Sequence, residues 1–342
     1  MLARDPSRRR PRPDAVRLSD TNRPTHADTG VTDPVRVRFP PWWPPEAATC
    51  FEDLVAYRLV GASACAERIT AALVSVAFGS HALKRDVCED LIEAGRAFCE
   101  LKPDTALYRN LAITLTRAGK SGRPTDVEAA AQTLSGYRHA AQRSVISRTE
   151  AHLEDADTLL VHDYSSMALR ILLGLGERRR RRVVVTAGEP LGQGVQVARQ
   201  VAAAGHKIIY TPDMSVARVI DQVDAFITGV ESFYPDGSLA NTVGTVMLGL
   251  LCRETGVEVI APAETLKCDL DRSSVDAAKL TARLLHPWPD DAVGQRRDWN
   301  VVQFVLDAVP AALITTYVTE EATCAPGDVG SVARHALDKL HL

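Results

Sequence analysis

The sequence predicts an α/β fold in which an N-terminal all-helical domain precedes a Rossmann-like domain with an open, mostly parallel sheet. Three observations carry this. Short apolar bursts rich in β-branched or aromatic residues recur at Val183 to Val185, Ile208 to Tyr210, Ala225 to Thr228 and Val257 to Ala261, the pattern of buried parallel strands. Between several of them lie stretches of helical period, such as Val197, Val201 and Ala204, or Val243, Met247 and Leu250, as crossover helices require. Residues 46–151 carry helical period alone.

At 342 residues, 46% of them hydrophobic and 24% charged, the chain has material for about two domains and a sizeable core. A net charge of -3 argues against a nucleic-acid partner held by bulk charge. Seven cysteines show no CxxC pair and no Cys/His ligand spacing, which predicts free thiols, no metal and a cytoplasmic location. No apolar run reads as a membrane span or a signal core, so no membrane is expected.

Residues 1–45 are rich in Arg and Pro, as in RDPSRRRPRP and RFPPWWPP, and are expected to form a disordered tail. Trp42 and Trp43 are expected to pack where the chain enters the folded body. Residues 46–151 then form the helical domain. Phe51, Leu54, Val55 and Leu59 recur at helical spacing, and a second helix follows GASACAERI with its apolar face at Ile69, Leu73 and Val76. A third helix stops at Lys102-Pro103, a fourth ends at Gly119, and a long fifth runs from Asp126 to Ala151.

Residues 152–342 are read as the α/β domain. It opens with the strand Leu159 to Val161, a polar turn and a helix. The five arginines from Arg178 to Arg182 read as a solvated loop. After Asp271, VVQFVLDAVPAALITTYVTEE gives two more strands expected to close the sheet, and residues 329–342 a terminal helix.

Open α/β sheets bind ligands outside the carboxyl ends of their strands. Five polar clusters sit at such ends: HDYS from His162 to Ser165, TAGEP from Thr186, TPD from Thr211, GVES from Gly229 to Ser232, and AET with Lys267. They are expected to share one crevice. Asp163 and Glu231 are its candidate acid/base pair; equally, they bind ligand hydroxyls or cap the following helices. One phosphate could be held by backbone amides at Gly61, Ala62 and Ser63 or near Gly244 and Thr245, with Asn241 and Lys267. His162 and Ser165 complete the first turn, where imidazole, which titrates near neutrality, abuts the expected crevice. Arg68 and Arg109 are expected on the surface of the helical half.

GASACAERI, LLVHDYSSMALRIL, DAFITGVESFYPDGSLANTVGT, VIAPAETLK and LDAVPAALITTYVTEE, in this order across Phe51 to Glu321, resemble the initiation factor 2B alpha/beta/delta family. Its superfamily also contains ribose-1,5-bisphosphate and methylthioribose-1-phosphate isomerases. The resemblance implies a homo-oligomer, a dimer or hexamer built through the α/β domains, and a site for a small phosphorylated sugar or nucleotide without a cofactor. In the isomerase branches a Cys and an Asp act at the two turns that here read His162-Asp163-Tyr164-Ser165 and Gly229-Val230-Glu231-Ser232. Three basic positions of those branches are here Leu59-Val60, Glu189-Pro190 and Asn241-Thr242. The resemblance leaves three functions open: a binder of the initiation-factor type, a divergent aldose-ketose isomerase using Glu231 and Asp163, or a structural subunit.

Overall fold

A computed structural model describes residues 39–56, 58–59, 61–280 and 304–340. The expected tail lies outside the described residues up to residue 38. Its last part is packed: Trp43 is buried, stacks on Phe98 with centroids 5.6 Å apart and meets Phe51 edge-on. Trp42 lies under the Arg85 guanidinium, 4.4 Å from its ring centroid.

Five helices follow: α1 (Pro45–Val55), α2 (Ala62–Ala82), α3 (Val87–Leu101), α4 (Ala106–Gly119) and α5 (Pro124–His152). Their starts follow local chemistry. The Asp86 side chain accepts the Glu89 amide at 2.9 Å to cap α3, and Pro124 occupies the first turn of α5, where no amide partner is needed. Among the described residues α2 alone is long and apolar enough to cross a membrane, which corrects the expectation that no such run exists. Its apolarity has a packing cause: Cys65, Ile69, Leu73 and Val76 are fully buried among the other helices.

The second half alternates strand and helix: β1 (Thr158–Val161), α6 (Ser166–Arg178), β2 (Arg182–Thr186), α7 (Gly194–Ala203), β3 (Lys207–Thr211) and β4 (Ala225–Ile227). It continues with β5 (Ser232–Phe233), β6 (Leu239–Thr242), α8 (Thr245–Thr255), β7 (Glu258–Pro262), β8 (Leu306–Val309), β9 (Thr316–Val318), β10 (Thr323–Cys324) and α9 (Val329–Lys339). The main sheet has the order β10-β9-β7-β4-β1-β2-β3 and is parallel except at β10. Its chain order reverses between β1 and β4, the switch point where such sheets open a crevice.

Side-chain alternation explains why the strands read as continuous apolar runs. Leu160, Val184 and Phe226 join the cluster that also holds the helical core. Leu159, Val161, Val183, Val185 and Ile227 face α6 and α7. Both faces are therefore buried.

One strand departs from expectation. β8 does not close the main sheet but pairs antiparallel with β6, itself the partner of β5 in a three-stranded sheet. The cause is the Asp236-Gly237 turn, which folds β5 onto β6 and leaves the far edge of β6 open to β8. The pairing sets Asp307 opposite Asn241.

Candidate functional site

A cavity of about 160 Å³ opens at the switch point, between the carboxyl ends of β1 and β4 and the helical layer. Asp163, Glu231, Asn241 and Lys267 all line it. Three of the five strand-end clusters contribute, those after β1, β4 and β7, while the loop after β2 reaches the cavity only beyond its TAGEP cluster, through Leu191 and Gln193. The cluster after β3 does not. Its Asp213 instead accepts the Gly188 and Glu189 amides, both at 2.8 Å, and so holds the loop that follows β2.

Asp163 follows β1 in the left-handed backbone region, φ 55°, which Asp tolerates better than most residues. The side chain is 3% exposed. Oδ2 accepts the Thr242 hydroxyl at 3.1 Å, while Oδ1 has no hydrogen-bond partner. Burial pushes the carboxyl above its usual range; the neighbouring His162 and the Thr242 hydrogen bond pull the other way without cancelling it. Oδ1 is itself buried against Gly188, where an added Cβ would come within 2.5 Å of it.

Glu231 is half-buried and is held from the helical half: the Thr105 hydroxyl donates to its Oε1 at 2.5 Å. Ser232, next in the chain, donates to the Asp104 carbonyl at 2.6 Å and accepts the Ala106 amide at 2.8 Å. The turn after β4 and the segment between α3 and α4 are thereby fastened together.

Lys267 is buried against the same turn and donates to the Val230 carbonyl. Burial lowers its ammonium below the usual lysine range, and the nearby Glu231 and Glu264 carboxylates restore only part of that. Behind it, Arg138 meets Glu264 through two nitrogens at 3.1 and 3.3 Å, both side chains buried. Gln142 extends this network to Ser63 at 3.5 Å and takes an Arg170 hydrogen bond at 2.6 Å.

The remaining expected residues divide. Gly61, Ala62 and Ser165 line the cavity, with Ser165 also capping α6 through the Ala168 amide. No side chain caps α2, whose first turn begins at the wall. Ser63 points into the buried network instead. His162 lies behind the wall, with Nε2 donating to the Val243 carbonyl at 2.8 Å and Nδ1 facing the Thr186 hydroxyl at 2.7 Å, an arrangement that orients the turn.

Gly244 and Thr245 do not reach the cavity, which corrects their assignment to an anion site. The start of α8 is already occupied: Asp307 Oδ2 accepts the Gly244 and Val246 amides, each at 2.9 Å. The Thr245 hydroxyl is spent on the Thr242 carbonyl. Asn241 is wedged beside Gly229, with its amide oriented to donate to the Gly229 carbonyl and accept from Thr242, both at 3.2 Å. Arg68 and Arg109 stay outside, Arg109 bound to Asp269 at 2.7 Å.

Lys102 and Thr105 line the cavity although nothing local in the sequence marks them. Both follow the end of α3, and Thr105 bonds Glu231, 126 positions away. Cys268, flanking the Lys267 turn, is an inert thiol pushed up to about 12 by burial. Among the described residues no group of three His, Cys, Asp or Glu side chains is arranged to hold a metal ion.

Known proteins share this fold. A ribose 1,5-bisphosphate isomerase of Haloterrigena turkmenica is 27% identical over 85% of this chain and 93% of its own length. A Pyrococcus horikoshii protein described as a putative translation initiation factor eIF-2B subunit 2-like is 25% identical over 77% and 90%. Among solved structures, the Pyrococcus horikoshii translation initiation factor eIF-2B superposes with a TM-score of 0.71 at 22% identity, covering 83% of this chain and 98% of that one. The 5-methylthioribose 1-phosphate isomerase of the same organism gives 0.64 at 18% identity, over 86% and 87%, so the fold is common to both. The model of the initiation factor 2 subunit family matches residues 63–326, three quarters of the sequence, and the chain belongs to that family.

Proposed function

We propose that this protein binds a small phosphorylated sugar or nucleotide in the cavity at the β1/β4 switch point. The observation that carries this reading is the buried Asp163 carboxyl, whose Oδ1 has no hydrogen-bond partner, in the wall of a cavity that Glu231 and Lys267 also line. A buried polar atom without a partner is costly unless a ligand meets it. Asp163 and Glu231 suit sugar hydroxyls. Lys102, Lys267 and the amides at the uncapped start of α2, from Gly61 to Ser63, suit one phosphate. Thermal shift with a panel of pentose phosphates, hexose phosphates and nucleoside monophosphates tests it. No shift with any member would leave only a structural subunit.

A second reading is favoured by the asymmetry of the two carboxyls and by relatives described as sugar-phosphate isomerases. Here Glu231 removes the proton from C2 of an aldose phosphate while Asp163 donates to the carbonyl oxygen. Glu231 then returns its proton to C1 of the resulting enediol while the Asp163 carboxylate takes the O2 hydroxyl proton, which gives the ketose. The measurement is C2 proton exchange into solvent by NMR, repeated on Glu231→Gln and Asp163→Asn; exchange that survives both substitutions rejects the pair. The seven unpaired cysteines support a cytoplasmic setting, and the tetrameric eIF2B-beta2-delta2 complex of C. thermophilum, a structural neighbour, supports an oligomer.

A further inference from the structure

We propose that Thr105, contributed by the helical half, is a positioning residue: its hydroxyl fixes Glu231 Oε1 so that Oε2 is the oxygen presented to the ligand. This deepens the isomerase reading above and rests on it. The geometry has three parts. The Thr105 hydroxyl donates to Oε1 at 2.5 Å, and Thr105 is 3% exposed, so the donor does not exchange freely with water. Ser232 is bound from both sides by the same segment, at the Asp104 carbonyl and the Ala106 amide, so Thr105 cannot drift relative to the Glu231 backbone. The cavity wall includes Thr105 and Glu231 together, so the contact is made at the site itself.

A carboxylate on a flexible side chain samples several rotamers, and only some place an oxygen in line with a substrate C–H bond. Fixing one oxygen through a short hydrogen bond selects the rotamer and leaves the second oxygen as the proton acceptor. Thr105 itself touches no reacting atom. Because its partner lies 126 residues away in the other half of the chain, the helical layer would set the aim of a group carried by the sheet.

The test compares Thr105→Val and Thr105→Ser, each alone and combined with Glu231→Gln, by crystallography and by C2 proton exchange with a pentose phosphate. Thr105→Val is expected to release the Glu231 carboxylate from its observed position. It should lower the exchange rate at saturating substrate by about tenfold or more with KM changed less than about twofold. Thr105→Ser should restore both, and Thr105→Val should have no further effect on Glu231→Gln. A Glu231 carboxylate that stays in place without the hydroxyl, or an equal loss of rate in the Glu231→Gln background, overturns the proposal. If the wild-type chain exchanges no proton, the isomerase reading fails by itself. The positioning role is then decided by the crystal structures alone, by whether Glu231 moves in Thr105→Val and returns in Thr105→Ser.

Discussion

The Asp307 carboxylate stands 2.9 Å from the Gly244 amide, at the start of α8, where an anion would otherwise find exposed N–H groups. One oxygen also takes the Val246 amide, so a single side chain from β8 satisfies two of the four orphan donors of the helix. Asp307→Ala should therefore cost about 1–2 kcal/mol, the range for losing a charged, partly buried cap. Asp307→Asn, which keeps an acceptor oxygen, should lose clearly less. Urea midpoints at constant slope check both. An alanine variant as stable as wild type would mean that water replaces the cap at no cost.

That contact also shows where the sequence was legible. β1 and β2 were readable because Leu159 to Val161 and Val183 to Val185 are buried on both faces, which forces continuous apolar runs. The polar turns holding Asp163 and Glu231 were readable because strand ends are where such sheets accept ligands. β8 was misplaced because the run VLDAV suits a main-sheet strand and a hairpin partner alike. Only the tertiary pairing with β6 decides between them. For the same reason Thr105 and Asp307 gave no signal: each bonds residues more than sixty positions away, beyond any local period.

Arg138 and Glu264 form a buried ion pair, 5% and 0% exposed, directly behind Lys267. Removing one member strands the other charge in the interior. Arg138→Met should destabilise the chain by about 3–5 kcal/mol. Changing Glu264 to Met as well should recover much of that loss, because two apolar side chains need no solvation. Denaturation of the two single variants and the double variant measures the coupling. Additive losses would show that the pair acts through packing alone.

Gly188 and Gly192 both have positive φ, 73° and 65°, but only one stands against the site. A Cβ at Gly188 would lie 2.5 Å from Asp163 Oδ1 and 2.8 Å from its Cα, whereas at Gly192 nothing is within 4 Å. Gly192→Ala should thus carry only the backbone penalty, about 1–2 kcal/mol, and leave ligand-induced thermal shifts intact. Gly188→Ala should carry the same penalty, displace Asp163 and abolish the shift. Equal ligand responses in the two variants would remove Asp163 from the site.

Asp163 gives the chain a specific dependence on pH. Its folded-state carboxyl titrates above the ordinary Asp value of about 3.9 because it is buried. Between that value and the raised one, the folded chain keeps a proton that the unfolded chain has lost. Fewer protons are then bound in the unfolded state, so stability falls as pH rises through the window and stays lower above it. Asp163→Asn is a fair comparison, since Asn accepts the Thr242 hydroxyl and tolerates φ 55°. It should match wild type below the window and exceed it at neutral pH. Urea midpoints of the two proteins, measured across pH and subtracted, cancel the other titrating groups. A difference that shrinks with rising pH would mean that Asp163 is stabilised as the anion, and Asp163 could not then serve as the neutral acid of the cavity.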